Sequence, residues 1–124
     1  MDLAFRAIIN PGDTVLVPDP GYVMYEPMVL LAGGNVKFYD PLNLHKSLHN
    51  IPQNTKAVVL NFPGNPLGNT FSSQELEFIV QKSIDHDFCI LSDEIYGGLS
   101  FTQPHQSIVA VSYTHLTLPT TVIV

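Results

Sequence analysis

The sequence predicts an α/β fold, a partial and mainly parallel sheet flanked by helices. Three observations lead there. Short β-branched or apolar runs alternate with segments of helical period along the chain. The length, 124 residues, suits one domain and not two. The loops that follow the apolar runs hold most of the glycines, prolines and unusual polar residues.

Each element has its own reason. "MDLAFRAII" places Leu3, Ala4, Ala7 and Ile8 on one helical face, and the turn residues of "NPGD" end it. "TVLVP" reads as a buried strand that stops at Pro18, and "DPGY" as a turn. "YVMYEPMVLLAGG" reads as a helix closed by Gly33 and Gly34, with Pro27 in its first turn or at a kink. "NVKFYD" is a strand. "PLNLHKSLHNIPQNT" is irregular, with one helical turn at most. "KAVVLNF" is a strong strand and "PGNPLGNTF" a loop. "SSQELEFIVQKSIDH" opens on a capping-box pattern, Ser72 with Glu75, and carries Leu76, Ile79, Val80 and Ile84 on one face. "FCILSD" is the next strand. Repeats and low-complexity segments are absent from the sequence.

Composition narrows the function. The chain is 45% hydrophobic and 13% charged, which is a globular balance. Its net charge is -6 with five Lys plus Arg and no basic cluster, which argues against a nucleic-acid surface. No apolar run reaches membrane-spanning length, and no signal-peptide pattern opens the sequence. A single cysteine, Cys89, cannot form an internal disulfide, lies in an apolar strand as inert core, and fits a reducing, cytoplasmic setting. His45 and His49 are spaced as helix-borne metal ligands, but no third ligand accompanies them, so they read as a solvated face.

In open α/β sheets, ligands gather beyond the carboxyl ends of the strands. Three loops leave such ends here: "PDPGY", "FPGNPLG" and "DEIYGG". The last begins with two adjacent acids, Asp93 and Glu94. A carboxylate at the end of a buried strand needs a positive or donor partner. Alone, such a pair would read as a helix N-terminus, Tyr96 as a half-buried core tyrosine and Asn65 as a turn asparagine. Gly12, Gly21, Gly64 and Gly68 read as turn glycines with unusual backbone angles.

Together and in this order, "INPGDTVLVPDPGY", "LNFPGNPLGN" and "LSDEIYGGLSF" resemble the large domain of the pyridoxal-phosphate-dependent aminotransferases of fold type I, class I/II. The resemblance runs from Met1 to about Ala110. It implies pyridoxal 5'-phosphate as cofactor, amino acids and 2-oxo acids as substrates, and a homodimeric parent protein. By the same resemblance Asp93 pairs with the cofactor's pyridine nitrogen. Tyr96 and Asn65 donate to its phenolic oxygen, and Tyr22 stacks on its ring. Tyr25 competes with Tyr22 for that last role or reaches a neighbouring subunit, and Glu94 is a structural or capping residue.

Two departures stand out. Leu67 occupies a position where the family usually has threonine. The family's Schiff-base lysine lies in a Ser-rich loop downstream, and none of Lys37, Lys46, Lys56 or Lys82 has that context. The chain therefore reads as residues 1–110 of a partial cofactor-binding large domain, inactive alone, with no catalytic lysine of its own. "VSYTHLTLPTT" breaks the pattern. Codons for Val111–Thr120 can be written that resemble an adapter end used in transposon-based sequencing libraries, so residues 111–124 are expected to be a non-native tail and Met1 an internal methionine. Three alternatives stand beside transamination. A carbon–sulfur lyase would share Asp93, Asn65 and Tyr96. A transcription regulator with an aminotransferase-like effector domain would carry an upstream DNA-binding domain. A non-catalytic α/β module would have no use for this set of donors.

Overall fold

A computed structural model describes residues 1–101, 104–112 and 121–123. The elements follow as α1 (Asp2–Ile8), β1 (Thr14–Pro18), α2 (Tyr25–Leu31), β2 (Asn35–Tyr39), α3 (Leu44–Ser47), β3 (Thr55–Asn61), α4 (Ser73–His86), β4 (Cys89–Asp93), a 3-10 turn at Gly97–Leu99, α5 (Ile108–Ser112) and β5 (Thr121–Ile123). The strands lie in the order β2-β1-β3-β4-β5, and every pairing is parallel. This is the mainly parallel, helix-flanked sheet that the alternating pattern predicts.

Central strands buried on both faces need apolar residues at consecutive positions. β3 meets that need: every residue but Lys56 is buried. Successive side chains then separate into two cores. Val15, Val17, Ala57, Val59 and Leu91 pack with Phe5, Tyr25 and Val29 of α1 and α2. Leu16, Val58, Leu60 and Ile90 pack on the other face with Leu44 of α3, Leu76, Ile79 and Val80 of α4, and Ile108 of α5. β2 is an edge strand, and Phe38 there is half exposed.

The helices differ from the sequence reading in detail. In α1 the buried residue is Phe5, while Leu3 is 81% exposed and Ala7 is exposed. Phe5 buries a large aromatic ring on its own face, and that face is the one turned to the core. α2 begins at Tyr25 and not Tyr22, because residues 22–24 form a turn closed by the Tyr25 N–H on the Tyr22 carbonyl. Pro27 then falls in the first turn, where a missing N–H costs no intrahelical bond. In α4, Ser83 is buried where Ile84 was expected, and Ile84 is 45% exposed at the edge of the stripe. The capping box is formed on both sides: Ser72 Oγ accepts from the Glu75 N–H, and Glu75 Oε2 accepts from the Ser72 N–H at 2.8 Å. His45 packs its ring on Phe78, with centroids 4.2 Å apart. Among the described residues no cluster of three metal-ligating side chains occurs, and no helix is long and apolar enough to cross a membrane. Residues 113–120 and 124 of the expected non-native tail lie outside the described residues. Within it, Thr121–Ile123 pairs with Ile90–Ser92.

Beyond β4 the chain is tied down by Glu94. Its carboxylate accepts from Ser92 Oγ at 2.7 Å, Ser107 Oγ at 3.1 Å and the Ile108 N–H at 3.2 Å. His105 Nε2 lies 2.7 Å from Glu94 Oε2. Burial opposes the charge of Glu94. The contacts with His105, Ser92, Ser107 and the Ile108 N–H outweigh that cost and hold its carboxyl below the usual range.

Two outcomes are expected. Ser72→Ala should cost about 1 kcal/mol in chemical denaturation, the usual worth of an N-cap. Glu94 has a lowered folded pKa, so its stabilising contribution is full above the ordinary carboxylate range and disappears as pH falls through the lowered value. The stability difference between the parent protein and Glu94→Gln should therefore shrink below about pH 4, as measured by denaturation across pH.

Candidate active site

The sheet order sets where a ligand can sit. From β1 the chain passes through α2 on one face to β2 at the edge. It then returns through α3 on the opposite face to β3, on the other side of β1. The connections thus diverge between β1 and β3, and such switch points open a crevice at the carboxyl ends of the strands. The three loops singled out in the sequence leave β1, β3 and β4 at that end.

A cavity of about 220 Å³ occupies the crevice, lined by Tyr22, Tyr25, Asn61, Asn65, Asp93, Ile95 and Tyr96. All four residues expected to hold the cofactor, Tyr22, Asn65, Asp93 and Tyr96, face this one space. Asp93 closes β4. Tyr25, buried in α2, donates its hydroxyl to Asp93 Oδ2 at 2.6 Å. Desolvation by burial, followed by the bond to Asp93 and the charge of Asp93, pushes the Tyr25 hydroxyl well above its ordinary pKa. It therefore stays a proton donor. Among the described residues, Asp93 Oδ1 has only a long contact, 3.4 Å, from the Ile95 N–H.

Tyr22 stands edge-on to Tyr25, with ring centroids 5.5 Å apart and planes at 80°, and it is 42% exposed. The two tyrosines thus differ in their surroundings. Tyr25 is committed to Asp93 and the core, and Tyr22 keeps a free face. Tyr96 is 37% exposed and sits three residues past the end of the strand.

Two glycines here serve close approach. A Cβ on Gly21 would strike the Pro18 carbonyl, and one on Gly64 would strike the Asn69 side chain. Neither has a positive φ, whereas Gly12 and Gly68 do, at 93° and 67°. The expectation of unusual angles thus fits Gly12 and Gly68 and is corrected for the other two. Leu67, at the threonine position, is 39% exposed in the turn that Gly68 closes.

Sequence reasoning missed Asn61. It is 5% exposed at the end of β3. Its Nδ2 donates to the Asp93 carbonyl at 3.2 Å, and its Oδ1 accepts from the Asn65 N–H at 2.8 Å. One buried amide thus joins the end of β4 to the loop that carries Asn65. A polar residue closing the apolar run Ala57–Leu60 was the available signal.

With the geometry in place, comparison with known proteins is informative. The family model for aminotransferase class I and II matches residues 1–122. An aspartate aminotransferase of Thermotoga maritima is 38% identical over 116 residues, 88% of this chain and 31% of that protein. An aspartate/prephenate aminotransferase of Thermus thermophilus is 37% identical over 110 residues, 83% of this chain and 29% of that protein. The structure of a double mutant of Thermus thermophilus aspartate aminotransferase superimposes with a TM-score of 0.82 at 34% identity, covering 98% of this chain and 32% of that one. The chain spans about a third of the length of these relatives. It belongs to the class I and II aminotransferase family.

Proposed function

We propose that this chain supplies the cofactor-anchoring part of an enzyme that transfers an amino group between an amino acid and a 2-oxo acid. Members of the family use pyridoxal 5'-phosphate. The observation that carries the reading is the convergence of Asp93, Asn65, Tyr96 and Tyr22 from three separate loops on one cavity.

The residues fit the group on chemical grounds. A protonated pyridine nitrogen needs a carboxylate, and Asp93 offers one whose Oδ1 has spare acceptor capacity. A phenolate needs neutral donors, and Tyr96 and the Asn65 amide supply an O–H and an N–H. A flat ring needs a flat neighbour, and Tyr22 presents one at low entropic cost. When bound, the cofactor supplies an electron-withdrawing ring that stabilises the negative charge left as a substrate loses its α-proton. Asp93 holds a proton at the ring nitrogen, because an opposite charge nearby favours the cationic form. Tyr25 fixes Asp93 through Oδ2. Asn61 keeps the loop of Asn65 in step with the end of β4. Among the described residues no lysine lines the cavity, so the reading assigns the lysine that would carry the cofactor to another part of the full-length protein.

The same reading includes a cytoplasmic homodimer. In its support, Val23 and Leu31, on and beside α2, are 78% and 72% exposed, which is apolar surface suited to further protein. The reading also keeps residues 111–124 as a non-native extension, which the source nucleotides would verify.

In the full-length protein, Asp93→Ala should leave a cofactor that binds while lowering the rate of amino transfer on the order of 10³-fold, about 4 kcal/mol in barrier. Single-turnover kinetics with an amino donor measures this, and turnover at the parent rate would sink the proposal. Release of a thiol from a thioether amino acid, with no 2-oxo acid aminated, would favour the lyase instead. Tyr25→Phe removes a donor to a charged acceptor and should cost about 1.5–3 kcal/mol of stability, read from denaturant titration, with weakened binding of pyridoxamine 5'-phosphate.

A further inference from the structure

Asp93 and Glu94 are adjacent, yet they face opposite ways. Along β4, Ile90 enters the core beside α4 and Leu91 the core beside α1 and α2. The alternation continues past the strand. Asp93 meets Tyr25 on the α2 side. Glu94 meets His105, Ser107 and Ile108 on the α5 side. A side chain fixed on one face of an extended backbone fixes its neighbour on the other.

The Glu94 contact is built into its surroundings. The two side chains are 13% and 14% exposed, Glu94 and His105 respectively. The imidazole packs beside the Phe62 ring, with centroids 5.2 Å apart. Gly97 makes room for it: a Cβ there would lie 2.8 Å from His105 Cδ2. Thus the first glycine of "IYGG" serves the histidine. Between Glu94 and Gly97 the chain carries Tyr96, so the clamp brackets one expected cofactor ligand and adjoins another. It also closes a turn, since the Gly97 N–H donates to the Glu94 carbonyl at 2.8 Å.

We infer that Glu94 and His105 are positioning residues, a clamp on the far face of the sheet that aims Asp93 and Tyr96 into the cavity. The inference rests on the proposed cofactor role of that cavity. Neither residue lines it, and both act through the backbone of 93–97.

The test uses the full-length protein and pyridoxamine 5'-phosphate, a probe that needs no lysine to bind. Affinity is measured by calorimetry, and the probe's ultraviolet band reports whether its ring nitrogen keeps the proton. His105→Ala should weaken binding roughly 5- to 10-fold, about 1–1.4 kcal/mol, and move the band toward the unprotonated ring. His105→Gln keeps an N–H donor at similar reach and should restore both. Gly97→Ala leaves Glu94 and His105 chemically intact but pushes the imidazole aside, and it should reproduce the His105→Ala result. Loss of thermal stability in folded His105→Ala or Gly97→Ala protein, with unchanged affinity and band, would overturn the clamp while leaving the cofactor reading intact. Failure of the parent protein to bind the probe would overturn both.

Discussion

Asp93 ends a strand whose interior, Ile90 to Ser92, is buried, and a charge at such a place survives only if something replaces its water. Tyr25 does so from α2 with a 2.6 Å bond. That bond joins residues 68 apart in sequence and locks the helix after β1 to the end of β4. Position and chemistry reinforce each other here. Burial keeps the tyrosine protonated, and a protonated tyrosine keeps the aspartate in place. Without the donor, the carboxylate would turn toward solvent, and the cavity would lose the wall on which the other ligands converge.

The sheet order makes that meeting possible. Because the chain leaves β1 on one face and returns to β3 on the other, the loops after β1, β3 and β4 open into one crevice. None of the three could form the site alone. Tyr22 supplies a ring with no charge, Asn65 an amide with no wall, and Asp93 a charge with no donor of its own beyond the distant Ile95 N–H. Asn61 couples two of these loops at the cavity wall, where its amide satisfies a strand-end carbonyl and a loop N–H together.

Much of this was legible in the residues. β3 and β4 were readable because both faces are buried and their runs are continuously apolar. α4 was readable because its capping box and its Leu76, Ile79, Val80 stripe agree. The convergence on Tyr22, Asn65, Asp93 and Tyr96 followed from three motifs that share one end of a parallel sheet. The misreadings have local causes. In α1 the count of apolar residues pointed to Leu3 and Ala7, whereas the face of Phe5 is the one turned to the core. In α2 the apolar pattern extends back to Tyr22, but the turn of residues 22–24 delays the helix. Asn61 was hidden because its partners lie in other elements. The Glu94–His105 contact was hidden for the same reason, as 11 residues and a 3-10 turn separate the two.

The adjacent acids are solvated by the protein to different degrees, and that difference bears on their roles. A carboxylate has room for about four donors. Glu94 meets four partners and gains a lowered pKa from them against the cost of burial. Such a group is complete and has little to offer a ligand. Asp93 has one short bond and one long contact among the described residues, and it lines the cavity. A protein seeking stability alone would gain by supplying Asp93 with further donors, as it does one residue later. Leaving that capacity unused costs stability, and the cost makes sense if a cationic donor from outside the chain completes the carboxylate. The contrast between two neighbours on one strand end fits the proposed roles, a cofactor partner on the Asp93 side and a fixed scaffold on the Glu94 side.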